Sequence, residues 1–126
     1  MPLADNVTSA LVAANEAFYD AFDTGDMQAM EALWAREHDV ACLHPGAEPL
    51  FGREAVLRSW ADILSGSGRP AIQCLDPRPI AFERAGVVVC FELLAGGRLV
   101  ATNAFVTENG VWRMVHHQAG PISRPA

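Results

Sequence analysis

The most visible residues with chemical potential are His116 and His117, which are adjacent near the end of the 126-residue chain. The run 111–118 is typical of a β-strand, in which successive side chains point to opposite faces of a sheet. At most one of these histidines can face a pocket, and the two cannot share one metal ion without a bulge. We expect His116 to face inward, because Trp112 and Met114 on the same side are typical core residues, and His117 to face solvent or a subunit contact.

His44 and Asn103 are two further candidates for a polar site. His44 ends the first predicted strand and precedes a Pro-Gly turn, whereas Asn103 interrupts an otherwise apolar strand. A buried polar side chain costs a few kcal/mol unless it finds a partner. Asn103 is therefore predicted either to belong to a hydrogen-bond network or to face a ligand. A purely structural role remains an alternative for both residues and for His116.

Carboxylates give weaker support to an enzymatic hypothesis. General acid–base catalysis requires a titratable side chain that faces the substrate. Glu83 and Glu92 are the only acids well inside the strand region, and Glu92 is interpreted as a rim or interface residue more readily than as a buried base. No acid can be placed beside His116. The spacing indicates neither a Ser–His–Asp triad nor a Cys–His pair, and the glycines do not form a phosphate loop.

The composition restricts the class of protein and its partners. Hydrophobic residues make up 51% of the chain, which favours a folded globule, and the net charge of −6 repels phosphate backbones and anionic lipids. We therefore expect no nucleic-acid partner and no membrane partner. The widely spaced Cys42, Cys74 and Cys90 are typical of buried thiols in a reducing compartment. With no signal peptide or spanning segment recognised, the predicted location is cytoplasmic.

Hydrophobic periodicity predicts the elements that position these residues. Apolar side chains at spacings of three and four predict helices, and alternating or continuous apolar runs bounded by turn residues predict strands. The predicted helices cover about 7–22, 27–34 and 54–64, and the predicted strands cover about 40–44, 72–82, 87–94, 99–107 and 111–118. Helices followed by an antiparallel meander indicate one α+β domain over 1–126, with helices on one face of a curved sheet and a pocket between them.

Three segments carry a resemblance to a known family. They are Leu-His-Pro-Gly at 43–46, Gly-Arg-Glu-Ala-Val-Leu-Arg-Ser-Trp at 52–60 and Gly-Val-Trp-Arg-Met-Val-His-His at 110–117. Together they resemble the SnoaL-like branch of the nuclear transport factor 2-like superfamily, and the last is also similar to the association domain of calcium/calmodulin-dependent kinases. The resemblance implies a cone-shaped, cystatin-like α+β fold with a strongly curved, mostly antiparallel sheet. It also implies a homodimer through the outer face of that sheet.

The resemblance further implies a set of pocket residues and no cofactor or metal. His116 would be the catalytic residue, and the ligand-binding residues would be His44, Trp60, Asn103, Trp34, Tyr19 and Gln118. Gln118 stands where relatives often carry a second inward histidine, and it cannot transfer protons at neutral pH. The leading hypothesis is a small-molecule-binding protein, or an isomerase, cyclase or hydrolase that uses a pocket histidine. The alternatives are a noncatalytic dimeric association module and a filled, purely structural network.

Overall fold

The computed structural model describes residues 3–122, which form three helices packed on a six-stranded sheet. The helices are α1 (Leu3–Thr24), α2 (Met27–Leu33) and α3 (Arg53–Ser65). The strands are β1 (Ala41–Leu43), β2 (Leu50–Phe51), β3 (Gln73–Ala81), β4 (Ala85–Leu94), β5 (Gly97–Glu108) and β6 (Val111–Pro121). The predicted α+β class and element order are confirmed. Within 3–122, no helix combines the length and apolar character that crossing a bilayer requires.

The strands lie in the order β2-β1-β6-β5-β4-β3, and only the β1–β6 pairing is parallel among the described strands. The proline-containing β3 is an edge strand, and its register with β4 shifts between Leu75 and Arg78. Prolines at 77 and 79 account for both features, because they lack the backbone NH that a central strand must donate. The two-residue β2 was not predicted, because it is too short to show any alternation.

The ends of α1 and α2 are set by the sequence Thr-Gly-Asp at 24–26. Gly25 has a φ of 68°, a conformation that ends α1 without the strain of a β-carbon. Asp26 then accepts a hydrogen bond from the backbone NH of Ala29 at 3.0 Å and caps α2. This local chemistry allows α1 to lie along the sheet while α2 turns back toward β6.

Helix α1 lies very close to strand β4 at Gly86. A β-carbon at Gly86 would stand 2.4 Å from a methyl carbon of Leu11 and 3.0 Å from the carbonyl oxygen of Ile80. Leu11 is fully buried at this contact. The absence of a side chain at this position therefore sets the distance between α1 and the sheet, and with it the width of the space that α1 encloses.

A bulge in β6 reverses the expected orientation of the histidine pair. Ala104 lies opposite His116, but Phe105 lies opposite Met114, so Val115 is an extra residue in β6. An extra residue of this kind shifts the alternation of all side chains beyond it. Met114 and His117 are consequently both buried on the helix-covered face, and His116 lies on the outer face. The expectation that His116 faces inward and His117 outward is wrong.

Candidate functional site

A pocket of about 350 Å³ lies between the concave face of the sheet and helices α1 and α3. Its walls are mostly apolar, and its few polar groups come from Tyr19, His44, Glu92 and His117. The lining residues are Phe18, Tyr19, Phe22, His44, Pro45, Trp60, Ile63, Pro70, Ile72, Glu92, Leu94, Leu99 and His117. A cavity of this size and character is typical of a site for a small organic molecule.

His117 is held rigidly in the pocket wall. Its ring centroid lies 4.8 Å from that of Phe18 and 5.8 Å from that of Trp60, and only 3% of its surface is exposed. Burial, together with the positive charges that His44 and His116 can carry, lowers the pKa of His117 to about 3. The imidazole is therefore neutral at neutral pH, and one of its two ring nitrogens can accept a hydrogen bond.

Asn103 connects His117 to helix α1. Its Oδ1 lies 2.5 Å from Nδ1 of His117, and its Nδ2 donates to Asn15 Oδ1 at 2.8 Å and to the Tyr19 oxygen at 3.1 Å. Asn103 is 0% exposed, so this buried amide is satisfied by three side chains from two elements. The predicted hydrogen-bond network around Asn103 is present, directly behind the pocket wall.

Glu92 provides a carboxyl group beside the histidine. The Tyr19 hydroxyl donates to Oε2 of Glu92 at 2.6 Å, and Nε2 of His117 lies 4.0 Å from the same oxygen. Burial raises the pKa of Glu92, and the hydrogen bond from Tyr19 opposes that change. The pocket thus holds a carboxyl and an imidazole whose pKa values are both shifted by burial.

His44 is another polar group in the pocket lining. Its Nε2 lies 2.6 Å from Oγ of Ser59 on α3 and 3.7 Å from Sγ of Cys42. The ring packs edge-on against Trp60 with centroids 4.9 Å apart. Burial lowers the pKa of His44, so this ring also favours its neutral form.

The residues expected at the site divide into two groups. His44, Trp60 and Tyr19 line the pocket, and Asn103 lies directly behind it. Trp34, His116 and Gln118 lie elsewhere.

Trp34 is buried in the core at its bridge to Met114, because the chain leaving α2 enters the sheet there. His116 and Gln118 lie on the outer face because of the bulge at Val115, and Gln118 is exposed there.

Two residues that matter to the geometry were misjudged from the sequence. His117 was assigned to the outside, since the bulge leaves no mark in the composition of the strand. Glu92 was interpreted as a rim residue, although it shares a face with Val88 and Cys90, which are both buried. Strict alternation along β4 was the signal that could have identified Glu92 as an inward carboxylate.

The site contains no group of metal ligands. Within residues 3–122, no three His, Cys, Asp or Glu side chains lie close enough together to hold an ion. The cavity combines a carboxyl, a phenol and two imidazoles with apolar walls, and these groups are suited to hydrogen bonding and proton transfer.

Comparison with known protein families agrees with this arrangement of a pocket between a sheet and its covering helices. The sequence model of the SnoaL-like domain matches residues 11–123. The chain belongs to the SnoaL-like family. The similarity includes both α3, which carries Trp60, and the last strand, which carries His117.

Two solved structures resemble this SnoaL-like chain over most of their length. A proposed dehydratase of the nuclear transport factor 2-like family from Streptomyces avermitilis is 30% identical, with a TM-score of 0.87 over 96% of this chain and 99% of that one. A proposed calcium/calmodulin-dependent protein kinase type II association domain from Thiobacillus denitrificans is 36% identical, with a TM-score of 0.78 over 88% of this chain and 94% of that one.

A curated plant protein is also similar. The F-box protein SKIP8 of Arabidopsis thaliana is 31% identical over 114 residues, which are 89% of this chain and 49% of the plant protein. The SnoaL-like chain therefore spans about half the length of that relative.

Proposed function

We propose that this SnoaL-like domain binds a small, uncharged and mostly apolar molecule in the pocket, that Glu92 exchanges protons with it, and that His117 holds it by a hydrogen bond. The observation that carries this proposal is the pair itself. A neutral imidazole and a carboxyl lie 4.0 Å apart in the wall of an apolar cavity. Titratable groups with pKa values shifted by burial are characteristic of functional clefts.

The lining of the pocket supports an uncharged ligand. No lysine or arginine is among the residues that line it, so an anionic group would find no cationic partner there. The aromatic rings of Phe18, Phe22 and Trp60 offer flat apolar walls. A cavity of about 350 Å³ fits a molecule of roughly ten to fifteen non-hydrogen atoms.

The arrangement of the pair supports catalysis in addition to binding. A dehydration requires a base that removes one proton and an acid that protonates the departing hydroxyl. Glu92, whose pKa is raised by burial, can fill both roles in turn, and neutral His117, whose pKa is too low for a base at neutral pH, can hold the hydroxyl by a hydrogen bond. The similarity to a proposed dehydratase from Streptomyces avermitilis is consistent with this chemistry.

The binding proposal is tested by following chemical shifts in proton–nitrogen NMR while tetralone, indole or naphthol is added. We expect shifts at Trp60 and His117, and at least a tenfold weaker affinity in His117→Ala and Glu92→Gln, because the first removes the imidazole acceptor and the second replaces a carboxyl oxygen with an amide nitrogen that can only donate. His116→Ala is the matched control and should bind as the wild type does. The proposal fails if none of the three probes binds, or if His116→Ala weakens binding as much as His117→Ala.

A second candidate function is dimeric association, which the outer face of the sheet favours. His116 lies between Ala41 and Ala104 in one row across the sheet. That row ends at Phe51 and Ile80, whose surfaces are 72% and 50% exposed. Large apolar side chains at the ends of an uncovered sheet face are typical of an interface. We propose that a second copy of the chain covers this face.

The association proposal predicts a concentration-dependent dimer in sedimentation equilibrium. Ala104→Glu should shift the population to monomer, since it places a charge in the middle of the row. Gln28→Glu, on an exposed part of α2, adds the same charge away from the sheet and should leave the dimer intact. A wild-type chain that is monomeric at high concentration, or a dimer unaffected by Ala104→Glu, would exclude this interface.

A further inference from the structure

We propose that the polar group recognised by the pocket is the hydroxyl of an uncharged alcohol, which donates a hydrogen bond to Nε2 of His117. In this arrangement Asn103 is a positioning residue, because it determines which nitrogen of His117 carries the proton. The inference rests on the proposed binding function and specifies the ligand class for the same site. It follows from the direction of each hydrogen bond behind the pocket wall.

The first step is the orientation of the Asn103 amide. Its Nδ2 faces Oδ1 of Asn15 at 2.8 Å and the Tyr19 oxygen at 3.1 Å, and the Tyr19 proton is directed to Glu92 at 2.6 Å. Reversing the Asn103 amide alone would place two oxygens in contact at Asn15. Reversing both amides would leave Tyr19, which has a single proton, between the Asn103 oxygen and the Glu92 carboxylate. The orientation with Nδ2 toward α1 satisfies every group.

The second step is the tautomer of His117. With Nδ2 of Asn103 directed to α1, its Oδ1 is the atom that lies 2.5 Å from Nδ1 of His117. An amide oxygen can only accept, so Nδ1 must carry the proton. A neutral imidazole has one N–H, and its other nitrogen is then an acceptor. Nε2 of His117 therefore presents a lone pair.

The third step is the relation of that lone pair to Glu92. Nε2 lies 4.0 Å from Oε2, and Oε2 already accepts from the Tyr19 hydroxyl. A separation of 4.0 Å is too long for a direct hydrogen bond. Two hydrogen-bond acceptors, Nε2 of His117 and Oε2 of Glu92, thus face each other across a gap. A ligand group that enters the gap must donate a hydrogen bond. A ketone or an ether has no proton for Nε2 of His117 and leaves that lone pair without a partner, so both are disfavoured.

An alcohol fits this gap better than an amine. A protonated amine would lose its hydration in a cavity with apolar walls, at a cost that exceeds what a single carboxyl with a pKa raised by burial can offset. A neutral hydroxyl has one proton for Nε2 of His117 and carries no charge. Its oxygen can remain near Oε1 of Glu92 when that atom holds a proton. The ligand is therefore an alcohol on an apolar ring or chain.

The tautomer is tested directly by proton–nitrogen NMR of the His117 ring in the ligand-free protein, with the signal assigned by its loss in His117→Gln. We expect the shift pattern of a neutral ring protonated at Nδ1. Asn103→Ala should lose this preference, whereas Thr102→Ala, on the same strand but directed to the outer face, should keep it. A ring protonated at Nε2 in the wild type would overturn the inference.

The ligand class is tested with tetralol, its methyl ether and the corresponding ketone, three probes that share one ring system. We expect tetralol to bind at least tenfold more tightly than either of the others, because a site built to receive a proton discriminates against analogues that lack it. Equal affinities for the three probes would overturn the alcohol preference and leave the binding function standing. Failure of all three to bind would overturn both.

Discussion

Replacing Asn103 with leucine is expected to lower the free energy of unfolding by about 3 to 5 kcal/mol. Leucine has a similar volume, so the loss does not come from a cavity. It comes from three buried groups that each lose a hydrogen bond together, namely the amide oxygen of Asn15, the hydroxyl oxygen of Tyr19, which keeps its bond to Glu92, and Nδ1–H of His117. Each is left in a region from which water is excluded.

This loss can be measured by urea unfolding followed by tryptophan fluorescence. Thr102→Val is the matched control, because Thr102 is adjacent on the same strand and is exposed on the opposite face. The control should change the free energy of unfolding by less than about 0.5 kcal/mol. A cost below about 1 kcal/mol for Asn103→Leu would mean that the network does not hold α1 to β5 as the hydrogen bonds indicate.

Acidification is expected to destabilise the fold by about 1.4 kcal/mol per pH unit through His117, over the range in which the folded and unfolded states bind protons differently. The unfolded residue has a pKa of 6.5, whereas burial lowers the pKa of His117 to about 3 in the folded protein. Above pH 6.5 both states are neutral, and the full stability is present. As the pH falls toward 3, the unfolded state binds a proton at His117 that the folded state does not bind, so stability is lost.

His117→Gln isolates this contribution. The difference in free energy of unfolding between the wild type and His117→Gln, measured by urea unfolding, should shrink by roughly 3 kcal/mol between about pH 7 and about pH 4. Glu92 acts in the opposite direction, because burial raises its pKa and the folded state then gains from taking up a proton. Glu92→Gln should therefore steepen the acid loss. A difference between His117→Gln and the wild type that stays constant with pH would show that His117 is not shielded from protonation.

A separate acid transition at lower pH is assigned to Glu108. Burial alone would raise its pKa, but hydrogen bonds from the backbone NH groups of Arg36 and Glu37 and from His38 outweigh burial and lower the pKa to about 2. Its contribution to stability is present above the ordinary value of 4.5 and is lost as the pH falls through 2. This window extends from 4.5 to about 2 and overlaps that of His117 between 4.5 and about 3, so the loss of stability below pH 3 distinguishes Glu108 from His117.

Most of the fold was predictable because its determinants are local. Each of these determinants involves residues that are only a few positions apart in the chain. They are the helical stripe of α1, the Gly-Asp junction at 25–26 and the turn at Asn109. The edge position of β3 followed from its prolines. The short strand β2 could not be predicted, since two residues paired to β1 leave no pattern in the sequence.

The site was predictable only where strand alternation is regular. Asn103 lies on regular β5 and is inside as expected, whereas His116 and Gln118 follow the bulge and are outside. Glu92 was misjudged for a different reason. A glutamate in an apolar strand is more often solvated, and its burial here depends on a hydroxyl from α1, a partner 73 positions away in the chain.

The extra residue at Val115 has a consequence for how relatives are compared. A related chain with one residue fewer between its tryptophan and its inward histidine would have a continuous last strand and an identical pocket. An ungapped alignment of two such chains would match His116 with the inward histidine of the other and so pair side chains that lie on opposite faces of the sheet. Placing a one-residue gap at Val115 aligns the two inward histidines. Positions in this strand should therefore be aligned backward from Ala119 rather than forward from the turn.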